Sequence, residues 1–237
     1  MVPYLFGNWF TDIYNEFYRV IIDGNGYNML LNGLGTTLIL SIGGAVLGII
    51  IGILVALMRF SELKNNKKNF FSVLAGIYID IIRGTPSMVQ IMIIYYVIFS
   101  SYKGNPVFIG IIAFGINSGA YVAEIIRGGI VSIDKGQMEA GRSLGLSYAS
   151  TMSHIIIPQA IKVALPSLAN EFIVLIKETA IIGYISLIDL TKAADYIIGR
   201  KFNAFIPLIT IAIIYYIIIK LLTSLFRHME RRIRASD

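Results

Sequence analysis

Charged residues lie inside stretches that are otherwise apolar: Asp80, Arg83, Glu124, Arg127, Glu171, Lys177 and Glu178. A charge within an apolar span is expensive and is a functional candidate by default. Asp80 with Arg83, and Glu124 with Arg127, are three residues apart, so on a helix each pair can neutralise itself. Glu171 differs. Its nearest cation in sequence is Lys177, six residues on, which points well away on the same helix. Polar residues at matching depth accompany it: Thr85, Ser87 and Gln90, then Asn117, Ser118 and Tyr121, then Asn170. Carboxylates, amides and hydroxyls gathered near mid-membrane are how transporters hold a polar solute. Bond-making chemistry finds no support. Cys is absent, which excludes thiol catalysis, disulfides and thiolate metal sites. His154 and His228 are the two histidines, too few for a histidine metal cluster. No G-x-x-x-x-G-K-[ST] phosphate loop occurs, so this chain is expected to bind no ATP. Nothing places Ser, His and Asp as a triad, and no cofactor is called for.

A second set of residues stands out by being too polar to cross a membrane, from Gly136 to Tyr148 between two apolar segments. Ala140, Gly141 and Gly145 recur near helical spacing, so a partner's backbone can come close. Leu144, Leu146 and Tyr148 offer apolar anchors. Glu139 and Arg142 are i,i+3 neighbours that can fix register by ion pairing. A further break is expected at Ile155-Ile156-Ile157-Pro158, with Pro158 opening the next span. The residues read as a short surface helix pair folded back against the membrane and offered to something in water; the bland alternative is a solvated loop.

The elements that must position these residues follow from composition. The chain has 237 residues, 56% hydrophobic and 14% charged. That is unusual for a soluble domain and is the right length for an all-α membrane protein of about five transmembrane helices. Residues 1–26 form an amphipathic segment. In it Leu5, Phe6, Trp9, Phe10, Ile13 and Phe17 share one stripe, as in a helix lying in the interface or packed on the spans. Residues 27–226 form the membrane domain, with spans at 28–58, 70–100, 107–131, 158–185 and 205–226. The second is expected to break at Pro86, which lacks a backbone donor. The polar loop is 132–155, and 227–237 is a basic tail. In the first span Gly44, Gly48 and Gly52 lie on one face and permit close helix contact, within the subunit or between subunits.

These motifs resemble the membrane subunits of ATP-driven importers, whose cytoplasmic loop reads E-A-A, three residues, G, nine residues, I-x-L-P. Here Glu139-Ala140-Gly141, Gly145 and Ile155-Ile156-Ile157-Pro158 keep both spacings, with Gly141 for the third small residue and Ile157 for leucine. Arg83-Gly84-Thr85-Pro86, Ala120-Tyr121-Val122-Ala123-Glu124, Pro158-Gln159-Ala160, Asn170-Glu171-Phe172-Ile173 and Lys177-Glu178-Thr179 are similar to the permeases for polar amino acids, so the likeness covers residues 27 to 225. The resemblance implies a type I ABC importer permease fold with cytoplasmic coupling helices. It implies that Glu139, Ala140, Gly141, Arg142, Leu144, Gly145 and Leu146 dock on a separate ATPase subunit. It also implies a second permease subunit, two ATPase subunits carrying ATP and Mg, and an external solute-binding protein, in a prokaryotic cell membrane. Glu171, Asn170, Glu124, Asn117, Thr85 and Gln90 are the expected substrate path, for basic or neutral polar amino acids. The alternative is an ion-gradient-coupled carrier or channel that uses the same carboxylates.

Net charge is +6. The basic residues flank apolar runs, which fits membrane topology better than nucleic acid. Ten Lys and Arg fall in 59–69, 131–155 and 227–237, against five in the opposite connections. The richer side is expected to be cytoplasmic, with the amino terminus outside and the carboxyl terminus inside. Five spans enclose little on their own, so a two-fold pair of this chain is the economical way to wall a path.

Overall fold

The computed structural model describes residues 3–59 and 68–234, which are helical almost throughout, with no strand among them. Residues 60–67 of the basic stretch expected at 59–69, with Lys64 and Lys67, and the end of the tail at 235–237 lie outside the described residues. In chain order the helices are α1 (Pro3–Phe17), α2 (Gly26–Met58), α3 (Phe70–Gly84), α4 (Ser87–Ile93), α5 (Pro106–Val131), α6 (Lys135–Ser143), α7 (Tyr148–Thr151), α8 (Ile157–Glu178), α9 (Leu190–Lys201) and α10 (Phe205–Arg234). Among the described residues four helical runs are long and apolar enough to cross a membrane: α2, α5, Tyr148–Ile185 and Phe205–Arg232. Phe70–Gly84 and Ser87–Ile98, bent by 109° at the break between them, are together apolar enough to count as a fifth if the pair is one span.

Local chemistry sets the boundaries. Asn69 accepts from the Ser72 amide at 2.8 Å while the Ser72 hydroxyl accepts from the Asn69 amide at 3.0 Å, a reciprocal cap that opens α3. Pro86 forbids the next turn of α3 and restarts the chain as α4. Asn105 caps α5 through the Val107 amide at 2.9 Å, with Pro106 at the first helical position. Pro158 behaves otherwise than expected. It does not open a separate span, because α7 runs into α8 through a wide π turn, Met152–Ile156, just before it. Widening the turn is the way a helix accommodates a residue with no amide donor. The Gln159 side chain donates to the Ile155 carbonyl at 2.8 Å beside it. The connection at 186–204 holds α9. Asp189 caps it by accepting from the Thr191 and Lys192 amides at 3.0 and 2.9 Å.

In lipid there is no hydrophobic drive between helices, so packing must come from close contact. The glycine face of α2 supplies it within this chain. A methyl group at Gly44 would come within 2.8 Å of Phe114 Cβ, and one at Gly48 within 2.9 Å of Ser118 Cβ; Gly52 meets Val122 in the same way. Both helices step by four residues, so glycine and partner stay matched for two turns. Phe114, Leu40, Ile91, Ile109, Leu175 and Ile182 form the core at one end of this seam. Val55, Ala75, Ile79, Ala120 and Ala123 form it at the other. A third cluster joins the Tyr18–Ile22 turn to α2, α9 and α10 through Val20, Leu30, Leu190 and Ile197. Ile13 of α1 packs on that cluster, whereas Trp9 and Phe10 are exposed.

Candidate functional site

Helix α5 carries the polar residues on which the site is built. Asn117 and Ser118 are buried, and Tyr121 and Glu124 follow on successive turns. Asn117 faces the break between α3 and α4. Its Nδ2 donates to Gln90 Oε1 at 2.9 Å, and Gln90 Nε2 donates to the Ile82 carbonyl at 2.7 Å, the Thr85 carbonyl at 3.0 Å and Thr85 Oγ1 at 2.7 Å. Three expected path residues, Thr85, Gln90 and Asn117, are thereby one network. Its evident work is to satisfy carbonyls that the broken helix leaves without donors.

Ser118 faces α8 instead. Its hydroxyl donates to Glu171 Oε1 at 3.1 Å. Among the described residues no cation pairs with Glu171. The carboxylate opens on a mostly apolar crevice of about 740 Å³ between α2, α5, α8 and α10, lined by Ile49, Val122, Leu168 and Phe172, with Asn170 beside it and Lys177, Arg227 and Glu230 also on its wall. A half-buried carboxylate in an apolar crevice, with a single hydroxyl on it, can take a cation or an N–H donor. No group of three or more His, Asp or Glu side chains among the described residues is placed to hold a metal ion.

Glu124 is in the opposite condition. Arg127 holds it in a fork, Nε to Oε1 and Nη2 to Oε2, both at 2.9 Å. Arg59, at the end of α2, donates to Oε1 at 2.7 Å. Arg83 of α3 approaches Oε2 at 3.7 Å. The expected Glu124–Arg127 pair is therefore present, but the Asp80–Arg83 pair is not. Asp80 is exposed on α3 while Arg83 turns toward α5, where Glu124 and the Tyr121 ring answer its charge. Arg59 was legible only as part of a basic loop. Nothing in one sequence says that the end of α2 meets the middle of α5.

The polar loop is two short helices. Asp134 caps α6 by accepting from the Gly136 amide at 2.6 Å. The end of α6 is closed by a pair of turn bonds, Leu146 amide to Gly141 carbonyl and Gly145 amide to Arg142 carbonyl, each 3.1 Å. That turn places Gly145 at φ +84°, a conformation suited to glycine. Gly141 is buried against Thr151, where a side chain has no room. The expected Glu139–Arg142 contact does not form. Arg142 Nη1 instead donates to the Leu146 carbonyl at 2.8 Å and reinforces the turn. Glu139 and Ala140 are exposed, and Leu144 is 82% exposed at the tip; Leu146 is half-buried.

Comparison with known proteins bears on this arrangement of spans, break and surface helices. Residues 48–235 match the family described as binding-protein-dependent transport system inner membrane component. The chain belongs to this family. It is similar to the glutamine transport system permease protein GlnP of Escherichia coli, at 37% identity over 210 residues, 87% of this chain and 93% of that one. It is also similar to the arginine transport system permease protein ArtQ of Bacillus subtilis, at 36% identity over 210 residues, 88% and 94% of the two chains. A crystal structure of an amino acid ABC transporter with histidines superposes with a TM-score of 0.78 at 42% identity, covering 87% of this chain and 94% of that one. The MetNI methionine ABC transporter, inward facing, shares the fold at a TM-score of 0.71 and 18% identity, over 86% and 96% of the two chains. This permease is thus an inner membrane component of a binding-protein-dependent transport system, a multi-pass membrane protein. It is not itself an enzyme: the ATPase is a separate subunit, and a binding protein delivers the solute. The ion-gradient carrier is set aside by the same matches.

Proposed function

We propose that this permease passes a basic or neutral polar amino acid, such as arginine, histidine, lysine or glutamine, with Glu171 as the countercharge. The observation that carries the reading is a carboxylate that no cation pairs among the described residues, held by one hydroxyl and opening on a mostly apolar crevice. Asn170 supplies hydrogen bonds beside it, and Thr85, Gln90, Asn117 and Glu124, which lie outside that crevice toward α3 and α4, complete the proposed path. The glutamine and arginine systems named for its relatives support the same substrate class. Two copies of the chain line the path, with two ATPase subunits that bind ATP and Mg. The exposed surface of α6, with Glu139, Ala140 and Leu144, together with Arg142, Gly145 and Leu146 of the turn that follows it, sits on an ATPase subunit. That surface and the basic tail face the cytoplasm, the amino terminus lies outside, and α1 rests in the lipid interface through Trp9 and Phe10.

The test is Glu171→Gln in the assembled importer, reconstituted with its ATPase and binding protein. The change keeps shape and removes charge. Uptake of a cationic amino acid is expected to fall much more than uptake of glutamine, with the complex intact. Equal loss for both, with a lower melting temperature, would assign Glu171 a bracing role instead, and a native preference for glutamate would overturn the charge reading.

A further inference from the structure

An amino acid that sets a cationic group on Glu171 still carries a carboxylate, and a partly desolvated path must answer that charge too. Lys177 and Arg227 line the crevice on which Glu171 opens; of the three arginines around Glu124, Arg83 has least to lose. Glu124 is already served by Arg59 and Arg127 at 2.7 to 2.9 Å, whereas Arg83 stands off at 3.7 Å with its side chain 45% exposed. Its guanidinium lies over the Tyr121 ring, 5.5 Å from the centroid, an arrangement that holds the group while leaving its edge open. Tyr121 follows Ser118, the residue that holds Glu171, by one turn of α5, and it is within electrostatic reach of Arg83, Glu171 and Glu178 alike. Arg83 also sits in the last turn of α3, directly at the break, where the space beside Gly84 is open.

An anion and a spare cation thus flank one tyrosine. We propose that Arg83 takes the α-carboxylate of the transported amino acid while Glu171 takes its positive group, so that the two set the substrate's direction along α5. This rests on the reading of Glu171 as the substrate's countercharge. A planar guanidinium fork suits a carboxylate, with two parallel N–H···O bonds. The consequence is selection for a free α-carboxylate: an amine of the same side chain, lacking that group, leaves Arg83 unanswered.

Binding of L-arginine and of agmatine, the same molecule without its carboxylate, is measured on the permease–ATPase complex in nanodiscs, without binding protein. The unmodified complex is expected to prefer L-arginine by about tenfold to a hundredfold. Arg83→Gln brings L-arginine down to the agmatine level and leaves agmatine unchanged. Glu171→Gln weakens both ligands alike. If Arg83→Gln weakens both ligands alike, or keeps the preference, or if Lys177→Gln removes it instead, the assignment of Arg83 is overturned while Glu171 stands. If Glu171→Gln changes neither ligand, or the unmodified complex binds neither, both readings fall. Should Arg83→Gln lower the melting temperature, Arg83→Lys carries the comparison, since it keeps the charge and loses the fork. A reduced preference for L-arginine supports the proposal, and an unchanged one overturns it.

Discussion

At Gly145 the backbone sits at φ +84° with open space around the Cα, so its role divides into conformation and clearance. Gly145→Trp strains the turn by about 1–2 kcal/mol and places bulk on the proposed docking surface. Gly145→Asn keeps the left-handed conformation with little bulk. The Trp variant is expected to hydrolyse ATP with little transport, and the Asn variant to stay near normal, read as ATP consumed per substrate in proteoliposomes. Equal uptake in both would remove the docking role. Asp189 is a second residue whose chemistry is local. It is fully buried, and burial pushes its carboxyl above the usual range against the pull of the Lys192 and Thr191 amides. A carboxyl raised in the folded state favours folding while it is protonated, and that contribution is lost as pH rises through its folded value. Asp189→Asn keeps an acceptor for the cap and removes the charge. Its melting temperature is therefore expected to gain on the unmodified protein as pH rises from acid to neutral; a constant difference across that range would refute the burial argument.

At the scale of elements, two contacts decide how the spans fit. The α2–α5 seam depends on the absence of side chains at Gly44, Gly48 and Gly52. Gly48→Val is expected to cost about 1–3 kcal/mol, because Ser118 Cβ lies where the first new carbon would go. The same change would disturb Ser118, and with it the hydrogen bond to Glu171. The α3–α4 break depends on Gln90, whose amide serves Ile82 and Thr85 and is fixed by Asn117. Gln90→Leu leaves those carbonyls without a donor and is expected to cost about 1–3 kcal/mol. Thermal unfolding of the purified subunit checks both, and an unchanged melting temperature for either would mean that its contact is dispensable.

For the whole molecule the open quantity is direction across the membrane. In the proposed orientation, argued from the Lys and Arg asymmetry, the α6 side faces the cytoplasm. Single cysteines introduced into this Cys-free chain report it. Lys103→Cys, in the exposed turn before α5, is expected to react with an impermeant reagent in intact cells, and Ser143→Cys, at the end of α6, to be shielded. The reverse pattern would invert the orientation and put the coupling surface on the wrong side for an ATPase.

Much of this protein was legible before any coordinates. Apolar runs, the break at Pro86 and the loop from Glu139 to Gly145 are written in local composition and spacing. Span length is fixed by hydrocarbon thickness, and a proline or a glycine acts on its own turn. The partnerships across the bundle were not legible. Arg59 with Glu124 is 65 residues apart in sequence, Ser118 with Glu171 is 53, and Gln90 with Asn117 is 27. Of the i,i+3 neighbours singled out in the sequence, Glu124 and Arg127 do pair, whereas Asp80 with Arg83 and Glu139 with Arg142 do not. A side chain on a helix can turn to a neighbouring span or to its own turn as readily as to the residue three positions away. Sequence therefore determined which charges lie within apolar spans of this permease, and only tertiary packing decided that Glu124 is already occupied while Glu171 pairs with no cation among the described residues.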